Sequence, residues 1–513
     1  MKTKKIIISL FAATLLCGGL SSCEDFLTTS PSTSVSDGDI VKGINYLDMV
    51  LTGAYRYLYF NGDRDYKGQP GYQMYGDLGG ADIICTEGIG GSQVTTYRYL
   101  ATKTSASSAA SQIWEKMYNV INTTNIIIDN IPITPGSDAK KDEVLGQALA
   151  IRAICYFNLI QNYQKTYAIA KDKLGVILRT SSTEAPGGVR STVEECYNLI
   201  VDDLTRAKTL LAGYNRGSQK YHVDRYVVAG ILARVYSVMG NWAAAETEAD
   251  YAYTQYSTLM TKAQYRAGFA DRTVPEVMWA VNQTDETNAG GYDAQYQFWY
   301  TRHTADQVYY SYGTYFVSDE YVALFGDTTT AGFRNNLGYN DTTVFSDATT
   351  DHRAMFNQIH LVDPYFSYHK WKDPGNGSFQ SRGSIPLMRG AEMLLIRAEA
   401  RANQAGKLTQ ALADLNTLQI ARNAVVTNNS TNPALLEDIY LERRKELLGE
   451  GVAGMYDLLR LQKDLVRGNS HPVVGRFTIL SNDYRFICQI PAREFELNLD
   501  LNILTDQNPA SGQ

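Results

Sequence analysis

Apolar side chains recur every three or four residues along three long stretches, the spacing of amphipathic helices that each bury one face. One face runs through Ile113, Met117, Val120/Ile121 and Ile127/Ile128, and a second through Leu145, Leu149, Tyr156, Leu159/Ile160 and Tyr163. The third comprises Val193, Tyr197, Ile200, Leu204, Ala207 and Leu211. It has a start signal of its own. Ser191 or Thr192 can accept hydrogen bonds from first-turn N–H groups, and Glu194 and Glu195 lie where the helix dipole favours negative charge. The periodicity fails in two places. Residues 59–100 are glycine-rich, and residues 258–385 abound in Gly, Asn, Asp, Thr and Tyr. A structureless connection of the latter length is rare inside a compact domain. That stretch therefore predicts an irregular subdomain with short strands, packed on the helices.

Two stretches share one plan. In "YVVAGILARVYSVMGNWAAAETEADYAYT" (226–254), small or aromatic residues fall at Ala233, Tyr236, Gly240, Trp242, Ala245, Ala249 and Ala252. This resembles a tetratricopeptide repeat, two helices that touch through small side chains. "LLIRAEARANQAGKLTQALADLNTLQ" (394–419) has the same build, with Gly406 at the turn and Ala411, Leu415 and Leu418 on the second helix. Residues 143–163 and 192–211 are a candidate third pair.

The N-terminus reads differently. Lys2, Lys4 and Lys5 precede an apolar run from Ile6 to Leu16, the layout of an export signal. The run is shorter than the roughly 20 residues a membrane-spanning helix needs. Leu20-Ser21-Ser22-Cys23 then resembles the lipobox of bacterial lipoproteins, in which cleavage before the cysteine exposes a thiol for acylation. Cys23 is the predicted lipidation site, and "TTSPSTSVSD" (28–37) a flexible tether. An ordinary signal peptide with an incidental cysteine is the plainer alternative. No later stretch reads as a membrane span.

Composition adds exclusions. Hydrophobic residues make up 44% and charged residues 20%, ordinary for a globular chain. Net charge is -7, and loss of the three leader lysines makes it -10. With no basic block or basic helix face, nucleic acid is not an expected partner. Cys85, Cys155, Cys196 and Cys488 are widely spaced, and Cys155 and Cys196 sit in apolar helical patterns, so free thiols are expected. The six histidines form no metal-binding pair, and no nucleophile elbow or phosphate loop is present, so neither metal nor cofactor is predicted. Glu392 and Glu399 lie beside Arg389 and Arg397, and Glu442 and Glu446 beside Arg443 and Arg444. Their spacing of three to five residues suits structural ion pairs better than catalysis.

Several motifs occur in one order along nearly the whole chain: CEDFL after the lipobox, "GDLGGADI" (76–83), "IWEKMYNVINTTNIIIDNI" (113–131), "GQALAIRAICYFNLIQNY" (146–163), "STVEECYNLIVDDLTRA" (191–207), "IPLMRGAEMLLIRAEARA" (385–402), "LERRKELLGEG" (441–451) and "IPAREFELNLDLNILTDQNP" (490–509). Together they resemble the SusD/RagB family of outer-membrane nutrient-binding lipoproteins. The resemblance implies a mostly α, SusD-like fold: a scaffold of four tetratricopeptide-type helix pairs with an irregular, loop-rich subdomain on one side. It also implies a lipid anchor on the outer membrane, facing the exterior, and a TonB-dependent SusC-like transporter as partner. Members are non-catalytic and capture an oligosaccharide, or in some cases a peptide. The chain departs from the family pattern after Tyr163, where "QKTYAIAKDKLGVIL" replaces a short Phe-Gly-x-x-Pro turn, and after Gly451, where "VAGMYDLLR" lacks an expected Arg.

On this reading the organisation is a removed signal (1–22), a lipidated terminus and tether (23–37), and a helical repeat region (38–257) with a loop-rich insertion (59–111). An irregular Tyr-rich ligand-side subdomain (258–385), a C-terminal helical region (386–463) and a C-terminal segment packed on the scaffold (464–513) complete a single unit, 23–513. Flat aromatic rings suit the C–H faces of sugars. The densest aromatic run is "YDAQYQFWYTRHTADQVYYSYGTYF" (292–316), and a second cluster holds Tyr72, Tyr75, Tyr97 and Tyr99. The candidate ligand contacts are Tyr97, Tyr99, Tyr296, Trp299, Tyr300, Tyr309 and Tyr310. A protein-only surface scaffold and, more distantly, a glycan-degrading enzyme are the alternatives from other classes.

Overall fold

The periodic stretches fold as helices that stack in sequence. The computed structural model describes residues 42–60, 68–86, 93–100, 102, 104–185, 187–282, 303–304, 307–308, 315–325, 351–359, 366–368, 370–371 and 383–510. Its main helices are α1 (Ile44–Phe60), α2 (Gly68–Leu78), α3 (Ser108–Asn130), α4 (Asp138–Tyr163), α5 (Val193–Leu210), α6 (Arg225–Met239), α7 (Trp242–Gln255), α8 (Gly390–Ala402), α9 (Leu408–Ala421), α10 (Ala434–Leu447) and α11 (Gly454–Arg460). α1 packs on α3, α3 on α4, α4 on α5, α5 on α6, α6 on α7, α7 on α8 and α8 on both α9 and α10. This is the predicted class: mostly α, helix pairs, and an irregular part with short strands.

Local chemistry sets the helix ends. Thr192, not Ser191, caps α5: its hydroxyl accepts from the Glu195 N–H at 3.2 Å, while the Glu195 carboxylate accepts from the Thr192 N–H at 2.8 Å. Asp224 caps α6 by accepting from the N–H groups of Tyr226 and Val227 at 3.0 and 2.9 Å. The turns inside the α6–α7 and α8–α9 pairs pass through Gly240 (φ +72°) and Gly406 (φ +78°), a left-handed conformation that glycine adopts without penalty. Ala233, Ala245, Ala249 and Ala252 are fully buried, as the repeat pattern requires. Helix α4 is long and apolar enough to cross a membrane by length and composition alone. It is instead the central helix of the fold, with 78% of its most apolar window buried inside the protein.

The glycine-rich stretch after Tyr59 is more regular than its composition predicts, because it contains α2. Tyr72, Met74, Tyr75 and Leu78 are buried on it. Tyrosine serves there as the apolar residue, and Pro70 sits in the first turn, where a missing N–H is tolerated.

Short strands complete the architecture. They are β1 (Ile83–Cys85), β2 (Leu174–Ile177), β3 (Arg190–Thr192), β4 (Val277–Val281), β5 (Tyr315–Val317), β6 (Asn357–Ile359), β7 (Phe366–Tyr368) and β8 (Ile385–Arg389). β1, β5, β7 and β6 form one antiparallel sheet in that order, while β4 pairs with β8 and β2 with β3.

The acidic and basic residues expected to pair along their own helices do form ion pairs, but with partners on other elements. Glu392 meets Arg234 at 2.6 Å, Glu399 meets Arg460 at 2.5 Å, Arg443 meets Asp457 at 3.0 Å and Arg444 meets Asp82 at 2.5 Å. Arg389, Arg422 and Arg353 converge on Glu446 at 3.0, 2.9 and 3.2 Å. Cys85, Cys155, Cys196 and Cys488 are buried free thiols, and burial pushes Cys196 up to about 11 and Cys488 up to about 12.

The GDLGG turn that ends α2 meets the turn between α10 and α11 through Asp77, whose Oδ2 accepts from the Gly451 N–H at 2.7 Å. Asp77 is buried, its Oδ1 has no hydrogen-bond partner, and burial raises its pKa from 3.8 to about 8. The folded protein thus holds a proton that the unfolded chain releases above about pH 4, so stability falls as pH rises between those values, by at most ~1.4 kcal/mol per pH unit. Asp77→Asn keeps the acceptor and removes the titration. Its melting temperature is expected to gain on that of the wild type between pH 5 and pH 8, and parallel pH profiles would refute a protonated Asp77. A packing test is Ala245→Leu, in which a larger side chain overpacks the α6–α7 contact. It should lower stability by about 1–3 kcal/mol in thermal or denaturant unfolding.

Candidate functional site

Two strand pairings organise the loop-bearing side of the protein. In the first, β1 runs antiparallel to β5 with Ile83 opposite Val317 and Cys85 opposite Tyr315. The chain after Cys85 and the chain before Tyr315 therefore leave the sheet at the same end. In the second, Val281 at the end of β4 lies opposite Ile385 at the start of β8. Upstream, Trp279 on β4 donates from Nε1 to the Tyr59 hydroxyl at 2.7 Å, which in turn donates to the Tyr221 carbonyl. The last turn of α1 is thus tied to β4. Along the chain between β4 and β5, His303 is paired with Val308 and Thr304 with Gln307, antiparallel.

Arg467 holds the base of this side together. Its guanidinium donates to the carbonyls of Gly80 (2.9 Å), Leu78 (2.6 Å) and Tyr97, and lies 4.1 Å from the centre of the Tyr97 ring and 5.2 Å from that of Phe477. His471 completes the clamp. Its Nε2 faces the Ala81 carbonyl at 3.0 Å and its Nδ1 the Tyr97 hydroxyl at 2.7 Å. A carbonyl can only accept, so Nε2 carries the proton and Nδ1 accepts from Tyr97. Burial, reinforced by the Arg467 charge, pushes the His471 pKa down to about 4, which keeps the ring neutral.

This clamp corrects the expectation for Tyr97 and Tyr99. Tyr97 is 0% and Tyr99 2% exposed. The Tyr99 hydroxyl donates to the Gly79 carbonyl at 2.5 Å, its ring meets Phe477 and Phe486 edge-on, and its backbone adopts φ +56°. Neither ring offers a face to a ligand; both pack the base on which the loops stand. Tyr72 and Tyr75 are likewise buried. Of the other candidate contacts, Tyr296, Trp299, Tyr300, Tyr309 and Tyr310 lie outside the described residues, as does Cys23. Of the seven candidates, the described residues include only Tyr97 and Tyr99. The sequence reading overlooked Arg467 and His471, which sit in the aperiodic "LVRGNSHP" and carry no recognisable motif. Among the described residues, no group of three or more His, Cys, Asp or Glu is placed to hold a metal ion.

Among the described residues this face is thus a cation-braced base of buried rings and carbonyls. Residues 81–237 match a family described as "Starch-binding associating with outer membrane", and residues 338–485 match the SusD family. The chain is 25% identical to "SusD-like protein P38" of Formosa agariphila over 502 residues, covering 90% of this chain and 93% of that one. Among solved structures, a SusD-like carbohydrate binding protein from Bacteroides vulgatus superposes with a TM-score of 0.78 at 26% identity, covering 90% of this chain and 97% of that one. A laminarin-binding SusD-like protein shares the fold with a TM-score of 0.68 at 17% identity, covering 91% and 99%. The family matches fall on the helical stack and on the segment that supplies its ion-pair partners, and the relatives span the chain almost end to end: this protein belongs to the SusD/RagB family.

Proposed function

We propose that the protein is a non-catalytic, surface-exposed receptor that binds an oligosaccharide and delivers it to a SusC-like TonB-dependent transporter in the outer membrane. The observation that carries this reading is the likeness, over nine-tenths of the chain, to a SusD-like carbohydrate binding protein. The aromatic run 292–316 adds support, since stacking on flat rings is how proteins grip the apolar faces of sugars. With Tyr97 and Tyr99 committed to the core, the proposed platforms are Tyr296, Trp299, Tyr300, Tyr309 and Tyr310. Attachment to the outer leaflet is assigned to an acylated Cys23, with residues 28–37 as tether.

An array of purified oligosaccharides and peptides, probed with the soluble mature chain, tests the ligand class; capture of peptides alone would overturn the glycan reading. Trp299→Ala is expected to weaken glycan binding at least tenfold, about 1.4 kcal/mol, with little change in melting temperature. A variant destabilised by about 3–5 kcal/mol that binds normally per folded molecule would make Trp299 a core residue instead. For the anchor, mass spectrometry of the membrane fraction should find Cys23 acylated at a processed N-terminus, and Cys23→Ala should release the protein from the membrane. An unmodified Cys23 in the mature wild-type chain would refute lipidation.

A further inference from the structure

The inner side of the helical stack is lined by α4, α6 and α8, and α11 packs into it: Arg460 reaches Glu399 on α8 at 2.5 Å, and the Tyr456 hydroxyl donates to Asn162 on α4 at 3.2 Å. The filling is incomplete. A cavity of about 70 Å³ remains, bounded by these helices together with α10 and Trp279 of β4.

Three charged side chains on its wall have hydrogen-bonding atoms to spare. Glu399 Oε2, Arg443 Nη1 and Arg460 Nη2 are buried and have no partner. Glu399 is 3% and Arg443 4% exposed, and the Arg460 side chain 8%. The charges themselves are balanced, because Asp457 accepts from Arg443 Nε at 3.0 Å and from Arg460 Nε at 2.7 Å, while Glu399 Oε1 accepts from Arg460 Nη1. A guest must therefore be neutral, accept from two guanidinium groups and donate to one carboxylate oxygen. A carboxylate cannot donate to Glu399, the charge of a carboxylate or a phosphate upsets the balance, and an ammonium cannot accept from arginine. Hydroxyl groups do both. The rest of the wall mixes Ile154, Phe157, Ile231 and Ile396 with Gln69, Asn158 and Ser237, surroundings that suit hydroxyls carried on a carbon skeleton.

Gln161, Val238, Tyr456 and Arg460 border both this cavity and a second pocket of about 10 Å³, whose wall includes Gln164, Lys165 and Thr166. The buried Thr166 hydroxyl has no partner either.

We propose that this cavity is a second ligand site, separate from the aromatic run, which takes a small neutral polyol whose hydroxyls bridge Glu399, Arg443 and Arg460. The site joins α8, α10 and α11, so its occupant braces α11 against α8 and α10. The inference stands independently of the oligosaccharide reading.

Saturation-transfer NMR on the full mature chain, with glycerol and erythritol as probes, tests it. Wild type should transfer magnetisation to at least one polyol. Val238→Trp, which enlarges a partly exposed side chain on the cavity wall, should reduce that transfer at least tenfold while melting like wild type. Gln161→Trp provides the same obstruction from α4 if the first variant fails to fold. Trp299→Ala should leave the signal unchanged, separating this site from the glycan platform. Absence of transfer to both polyols, equal transfer in a folded obstructed variant, or crystals soaked in glycerol that hold only water in the cavity would each overturn the proposal.

Discussion

The buried carboxylate of Glu446 is the constraint on which the rest of the arrangement depends. It sits at the end of α10 and accepts from Arg422 at the end of α9, Arg389 at the end of β8, Arg353 in the turn before β6, and the Tyr265 hydroxyl at 2.5 Å. The three guanidinium groups hold its carboxyl well below the usual carboxylate range despite complete burial. Glu276, just ahead of β4, pairs with Arg389 and with Arg422 at 2.9 Å, and Glu450 pairs with Arg389 at 2.6 Å and with Lys370, just after β7, at 2.5 Å. Such a network gains little over apolar side chains of equal volume, because every ion in it has been desolvated. Its effect is geometric. Each charge demands a particular partner, and the partners come from the helical stack, the β4–β8 pair and the antiparallel sheet. The network thus ties the β4–β8 pair and the antiparallel sheet to the repeats at several points.

The repeats themselves were legible because a helix pair writes its packing into one dimension. Ala233, Ala245, Ala249 and Ala252 are small for the same reason they are buried: two helix backbones approach there, and side-chain size at that spacing is visible in the sequence. The cap of α5 was legible for a similar reason, since donor and acceptor are three residues apart. Helix α2 was not, because glycines and a proline interrupt its short run and read as a loop.

What crosses between elements was not legible. Glu392 reads as a partner for Arg389, because the sequence shows neighbours along a helix and hides those across it. Arg234 lies 158 residues away. Arg467 and Tyr97 are 370 residues apart, and their stacking depends on a sheet edge and a turn meeting at one point. The error over Tyr97 and Tyr99 has the same origin. A cluster of aromatic residues in an aperiodic stretch has the composition of a binding platform, but the cation that claims those rings lies in another segment.

Tyrosine content illustrates how function and structure compete for one residue type. The chain has 36 tyrosines, and many of the described ones act as long-range ties. Tyr55 donates to Gln147, Tyr118 to the Ile177 carbonyl, Tyr156 to the Arg179 carbonyl, Tyr163 to the Ala110 carbonyl and Tyr265 to Glu446. Each ring fills space as an apolar residue while its hydroxyl satisfies an acceptor on a different element, so one side chain both packs and fixes register. In a stack of helices joined by irregular connections, many carbonyls fall outside regular ladders and need such partners. The excess of tyrosine over phenylalanine thus follows from the architecture, and abundance alone is no measure of ligand binding. A ring becomes a candidate platform only when no acceptor, cation or neighbouring ring already engages it. By that criterion Tyr97 and Tyr99 belong to the scaffold, and the case for a sugar platform rests on the run around Trp299.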